Sequence, residues 1–336
     1  MATPARPTVL ALVLLAGAAA GLGGRQDEPP RDTLPTPLPR TVPLGLEREL
    51  DDAALPPAEL AALGRRLFFD AQLSADQSVS CASCHRPEHG FADPRARSVG
   101  VGGAESPRNA PALLNRVLGD RFTWDGKAAT LEEQAAMPLE NPGEMNLPPA
   151  QAAARLAADA SYRAQFEAVF GAGPDADNLT RALAAFVKAL TYGDTPYDRF
   201  NAGDVAALTP AERSGLWVYE SRGRCWRCHG GHNFSDELFH NTGVGVTDEQ
   251  PEEGRFAVTS DEGERGAFKT PTLRGLAETA PYMHDGSLAT LEEVVEFYRK
   301  GGHPNPRLSP LIESLDLTDT DTANLVAFLK ALSRRP

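Results

Sequence analysis

Cysteine is scarce, with four in 336 residues. All four fall in two pairs of identical spacing, so the disulfides that export would normally suggest are not the obvious use for them. Basic residues are outnumbered, 33 Lys and Arg against 46 Asp and Glu. The resulting net charge of −13 argues against a nucleic-acid binder, which needs a basic face, and is compatible with a basic protein partner. Few stretches alternate apolar and polar residues as half-buried strands do. The 28 prolines and 30 glycines point to many loops instead. Past the N-terminus no apolar run is long enough to cross a bilayer. The length suits two domains of ordinary size.

The first residues, MATPARPTVLALVLLAGAAAGLGG, carry Arg6, then an apolar run from Val9 to about Ala20, then small residues. This is the shape of a secretory signal peptide, 1–23. An uncleaved anchor is the alternative, for which the run is short. No cysteine follows it, so a bacterial lipid anchor is not expected. The segment 24–50 is proline-rich and reads as an extended linker.

The cysteines lie in Cys81-Ala-Ser-Cys84-His85 and Cys225-Trp-Arg-Cys228-His229. CxxCH is the attachment signature of c-type haem. Two thiols three positions apart on one turn form thioethers with the two vinyl groups, and the next residue offers an imidazole to the iron. Zinc held by both pairs, or a thioredoxin-like CxxC, are the alternatives. Neither explains two identically placed histidines. Two covalent haems are therefore expected, with His85 and His229 as proximal ligands.

The chain also repeats itself. The stretch 55-LPPAEL-60 matches 208-LTPAER-213, and 183-LAAFVKAL-190 matches 325-LVAFLKAL-332. Setting 111-PALL-114 on 271-PTLR-274 gives an offset of 160, under which 124-WDGKAATLEEQ-134 falls on 284-HDGSLATLEEV-294 without a gap. The shared T-L-E-E is a capping box opening an equivalent helix in each half. In the second half Leu291, Val294, Val295 and Tyr298 form a buried stripe. In the first half the equivalent of Tyr298 is Pro138, where the helix is expected to break. One iron can then take a phenol ligand while the other stays open.

With these motifs the chain resembles the bacterial di-haem cytochrome c peroxidase family, including its MauG branch, over about residues 46–336. The resemblance implies an N-terminal haem that reduces peroxide and a C-terminal haem that takes electrons from a donor protein. It places Trp124 between the haems and Gln134 and Glu144 in the distal pocket. It implies a calcium ion bound by Asn109 and by carbonyls of Thr279 and Pro281. The histidine that caps the peroxidatic iron in many of the peroxidases is replaced by Val101. The far ligand of the second haem, a methionine in those enzymes, is Tyr298, as in the MauG branch. An anionic oxygen ligand favours oxidised iron more than a thioether does.

Blander readings stand beside these. Glu144 in NPGEM reads equally as a solvated turn carboxylate, Gln134 as an exposed helix residue, and Trp124 as a core aromatic. Met283 and His284 are the second-choice ligands for the second haem. Arg274 would pair with a propionate or form a surface salt bridge. His89 is expected on a proximal loop, and His232, His240 and His303 at the surface or against propionates.

The expected fold is all-α: two tandem cytochrome c-like domains, 51–196 and 197–336, joined near 191–200 with both haem edges at the interface. The leading function is reduction of hydrogen peroxide to water in the periplasm, with electrons from a small cytochrome c or cupredoxin. A MauG-like oxidation of a protein side chain and an electron carrier without turnover are the alternatives. The open position at Pro138 speaks against the carrier.

Overall fold

A computed structural model describes residues 32–247 and 250–335. The expected signal peptide and the first part of the proline-rich segment lie outside the described residues. Eleven α-helices are present among the described residues. The first half holds α1 (Ala58–Phe68), α2 (Cys81–Cys84), α3 (Leu131–Glu140), α4 (Pro149–Ala158), α5 (Ala160–Phe170) and α6 (Ala176–Lys188). The second holds α7 (Pro196–Asn201), α8 (Pro210–Glu220), α9 (Phe256–Thr259), α10 (Leu291–Arg299) and α11 (Asp319–Lys330). One short antiparallel pair, β1 (Phe239–His240) with β2 (Phe268–Lys269), is added to the expected helices. The protein is mostly helical.

Two hydrophobic cores form, one in each half. In the first, α1 packs on α6 and buries Leu63, Leu67, Phe68 and Phe186. In the second, α8 packs on α11 and buries Val218, Tyr219, Phe328 and Leu329. Phe186 and Phe328 are fully buried, each contributing about 1.5–3 kcal/mol relative to an exposed ring. They belong to the repeated LAAF and LVAF stretches, so the shared sequence is a shared packing surface.

Both crossings depend on a glycine. A Cβ on Gly64 would lie 1.9 Å from the carbonyl oxygen of Ala182, and one on Gly215 would lie 1.9 Å from that of Asn324. Any side chain there would force the helices apart. Gly64 and Gly215 are 151 positions apart, whereas the LPPAEL and LTPAER stretches are 153 apart. The backbone contact therefore sets the helix equivalence two residues from the register that the start motifs suggest.

The capping box forms in full at the second T-L-E-E and only in part at the first, where Glu133 accepts from the Ala129 N–H instead of closing on Thr130. Thr209 and Glu212 open α8, and Thr290 and Glu293 open α10, each cap being worth about 1 kcal/mol. In α3 the helix does not break at Pro138 but runs through it to Glu140. The proline costs the hydrogen bond to the Gln134 carbonyl without ending the helix. Its own carbonyl accepts from Met145 N–H at 3.1 Å, which ties down the turn that follows.

The proline-rich segment is docked from residue 32 onward. Arg65 holds Asp32, Thr36 and the carbonyls of Leu34 and Pro35. Leu34 and Leu38 pack on the first core, and Leu46 is fully buried. Arg274, expected at a propionate or the surface, is instead a buried strut. Its guanidinium makes a two-pronged pair with Asp198 at 2.8 and 3.0 Å and donates to the carbonyls of His232 and Gly45. The pair ties the loop of Arg274 to α7, and the bond to Gly45 ties it to the N-terminal segment.

Candidate functional site

Each CxxCH motif lines its own cavity. The first, about 490 Å³, is lined by Cys81, Cys84 and His85. The second, about 200 Å³, is lined by Cys225, Cys228 and His229. The two cysteine pairs do not converge, which excludes zinc held by both. The one tight cluster of metal-ligating types among the described residues is Cys228, Asp236 and His240. His240 is thus half-buried and bonded to Asp236 at 2.8 Å.

The histidines are oriented alike. His85 Nδ1 lies 3.0 Å from the Phe91 carbonyl, and His229 Nδ1 lies 3.0 Å from the Phe234 carbonyl. A carbonyl only accepts, so Nδ1 carries the hydrogen and Nε2 keeps its lone pair. Phe91 and Phe234 have φ of 60° and 53°, a left-handed conformation rare for bulky residues. That conformation appears in both halves at the residue whose carbonyl holds the histidine. Burial keeps both imidazoles below the usual histidine pKa, the carbonyl bonds opposing it. Burial also pushes Cys81 and Cys225 up to about 12, and Cys84 and Cys228 up to about 11.

Opposite the cysteines the cavities differ. In the second, Leu291, Val294, Val295 and Tyr298 of α10 line the wall, so the apolar stripe faces the cavity. Burial raises the Tyr298 pKa, with the nearby cysteines adding to it and a Thr242 hydrogen bond opposing it. In the first, α3 presents Gln134 and Pro138, and the next turn presents Glu144. Glu144 is half-buried, with Oε1 accepting from Asn141 Nδ2 at 2.6 Å. Burial raises its pKa above the ordinary carboxylate range, and the Asn141 bond only partly opposes this. It is therefore not a freely solvated turn carboxylate. Val101 is buried and donates its N–H to the Glu144 carbonyl at 2.8 Å. Its neighbour Gly100 lines the cavity.

Trp124 lines both cavities and belongs to neither core. Its indole N–H donates to the Asn109 carbonyl at 2.8 Å. The ring meets His284, its repeat partner, edge-on at 6.3 Å. Met283 also lines both cavities. His284 stacks on Phe268 at 3.6 Å, and its Nε2 is 3.1 Å from Glu252 Oε2. Burial opposes ionisation of Glu252, but bonds from His284 and Arg108 outweigh it and bring its pKa down to about 2.

Asn109, Thr279 and Pro281 all line the first cavity. Asn109 Nδ2 donates to the Arg95 carbonyl at 2.9 Å. His232 reaches the second half's frame through its carbonyl, bonded to Arg274. His303 is exposed against Phe297. Neither of these, nor His89, lines a cavity.

Lys269 escaped the reading of 268-FKTPTLRG-275, which singled out Arg274. It is buried, lines both cavities and ion-pairs with Glu237. Burial and the Arg116 charge lower its pKa to about 8, against the pull of Glu237. Its ammonium is engaged by the Glu237 carboxylate and still carries further N–H donors. A cationic donor facing both cavities suits the carboxylates of a haem. With two thiols, an Nε2 lone pair and this cation, the residues present fit a c-type haem in each cavity.

Comparison with known proteins agrees. The profile of the di-haem cytochrome c peroxidase family, which includes MauG, matches residues 58–206. The chain is 40% identical over 280 residues to the methylamine utilization protein MauG of Methylorubrum extorquens, covering 83% of this chain and 79% of that protein. It is 36% identical over 279 residues to cytochrome c551 peroxidase of Nitrosomonas europaea, covering 82% and 80%. The crystal structure of a MauG-like protein associated with microbial copper homeostasis superposes with a TM-score of 0.79 and 36% identity, over 90% of this chain and 95% of that one.

Proposed function

The chain belongs to the di-haem cytochrome c peroxidase and MauG family, and on that premise we propose that it is a periplasmic oxidoreductase that reduces hydrogen peroxide to water. Electrons come from a small cytochrome c or cupredoxin. Domain 51–196 carries one haem on Cys81, Cys84 and His85, and domain 197–336 carries the other on Cys225, Cys228 and His229. Tyr298 is the sixth ligand of the second. A calcium ion takes the Asn109 side-chain oxygen and the Thr279 and Pro281 carbonyls. Export is through the N-terminal signal peptide, and no helix among the described residues is long and apolar enough to cross a membrane.

The observation that carries this reading is the inequality of the cavities. A phenol enters the second, while Pro138, which offers no ligand, lines the first beside Gln134 and Glu144. When bound, the haems supply the iron that accepts peroxide and the redox couple that stores electrons. The rest is the work of side chains. Glu144 takes the proton from the inner peroxide oxygen and returns it to the outer one, which leaves as water. Asn141 holds that carboxylate, and Gln134 orients the peroxide. Two electrons and two further protons complete two waters per peroxide. Trp124 carries the electrons between the sites.

Tyr298 in place of a methionine favours a second reading, in which the oxidising equivalents are held and withdrawn from a protein side chain, as the MauG branch of the family does. Mixing the oxidised protein with peroxide and then adding reduced cytochrome c distinguishes the two. Rapid oxidation of the cytochrome supports the peroxidase. A long-lived oxidised spectrum with slow turnover supports the second reading. A spectrum inert to peroxide refutes both and leaves the electron carrier.

A further inference from the structure

The Trp124 carbonyl and the turn after it are bonded from the second half of the chain. Its carbonyl accepts from Lys269 N–H at 2.8 Å. The next two carbonyls, of Asp125 and Gly126, both accept from Arg255 Nη1, at 2.9 and 2.7 Å. Gly126 has φ of 68°, and a Cβ there would lie 2.3 Å from the Phe239 ring. Phe239 is itself covered by the Arg255 guanidinium at 4.5 Å. The turn after Trp124 is thus pressed between a strand and an arginine.

The other neighbours of the indole are secured by Glu252. Its Oε1 accepts from Arg108 Nε at 2.9 Å and from Nη2 at 2.6 Å. Arg108 Nη1 in turn donates to Asp125 Oδ2 at 2.8 Å. Glu252 Oε2 holds His284, the ring that meets Trp124 edge-on. The His284 carbonyl accepts from Asn109 N–H at 2.8 Å, and Asn109 is the residue whose own carbonyl takes the indole N–H. His284, the Trp124 carbonyl and the turn after it therefore lead back to the short stretch 252–255 or to Lys269, while Thr123 and Asn109 support the same turn and the indole from the first half.

Resting on the reading of Trp124 as the electron link, we propose that Glu252 and Arg255 are positioning residues that fix the Trp124 indole between the two haem sites. Neither residue lines a cavity, so they act through Trp124 and not by touching haem or peroxide. The rate of transfer through the ring depends on where the ring lies between the two sites.

The test uses the haem-loaded full chain and no peroxide. A photogenerated one-electron reductant reduces one haem, and equilibration with the other is followed by absorbance. In Arg255→Leu, equilibration should slow severalfold, with each haem's own spectrum and midpoint potential unchanged. Arg255→Lys, whose ammonium still donates to the two carbonyls, should recover most of the rate. Glu252→Gln, isosteric and less disruptive, should slow it to a smaller degree, and it serves if Arg255→Leu does not fold. An unchanged rate in Arg255→Leu or in Glu252→Gln overturns the proposal. So does a slowed rate accompanied by altered haem spectra, or one that lysine does not restore. Inertness of the wild type to peroxide would remove both peroxide-dependent readings and leave this proposal standing, because the positioning is measured without peroxide.

Discussion

Replacing Arg274 by methionine removes a guanidinium whose side chain is 1% exposed and leaves the Asp198 carboxylate, also 1% exposed, without its counter-charge. Breaking a buried pair by removing one partner costs about 3–5 kcal/mol. Asp198 keeps bonds from the Thr195 N–H and hydroxyl at 2.9 and 2.7 Å, which lowers the loss. The carbonyls of His232 and Gly45 lose a donor, which raises it. The expected loss is about 3–4 kcal/mol. Urea unfolding of the haem-loaded protein measures it as a shift in midpoint at constant slope. Adding Asp198→Asn removes the stranded charge while keeping the Thr195 cap, and should recover about 1–2 kcal/mol. Asp198→Asn alone should be destabilising. A loss below about 1 kcal/mol for Arg274→Met, the value of an exposed pair, would refute the reasoning. Strict additivity of the two substitutions would refute it as well.

Tyr298→Phe should convert the second haem's spectrum from six-coordinate to five-coordinate; an unchanged spectrum would assign the position to Met283 or His284. Glu144→Gln should slow the reaction with peroxide by about 10²–10⁴-fold, measured by stopped flow. With the wild type the rate should rise with pH through a pKa above the ordinary carboxylate range, because burial raises that of Glu144 and only the ionised form accepts a proton. That limb should be absent in Glu144→Gln, and its persistence would reassign the proton shuttle. Trp124→Phe, which loses the hydrogen bond to the Asn109 carbonyl, should slow oxidation of the second haem by peroxide, and an equal rate would move the electron path elsewhere.

Much of the candidate site was legible because its chemistry is local in the chain. Cys81, Cys84 and His85 are close neighbours on one turn, and their copy at Cys225, Cys228 and His229 repeats the spacing. The capping boxes and the stripe ending at Tyr298 follow from helical period alone. Setting the halves side by side placed Tyr298 against Pro138, and both residues do line their respective cavities. Period said only that the α10 stripe would be buried; packing turned it toward the cavity of the second CxxCH.

Other features had no local signal. Nothing in the sequence marks Phe91 and Phe234 as left-handed residues whose carbonyls hold the histidines. Pro138 predicted a break that neighbouring packing overrode. The helix starts suggested one register, and the glycine crossings at Gly64 and Gly215 set another. Arg274 and Lys269 sit in a stretch that reads as an ordinary basic loop, yet one became a buried strut and the other a cation shared by two cavities.

By itself, then, the sequence determined the two CxxCH motifs, their duplication and the unequal residues offered to the two cavities, because motif spacing and helical period act over a few residues. Tertiary structure decided which groups hold those residues in place. Arg108 and Glu252 are separated by 144 positions, and Arg255 and Asp125 by 130. Pairing over such distances leaves no periodic trace, since it depends on how the two halves of the chain meet at Trp124.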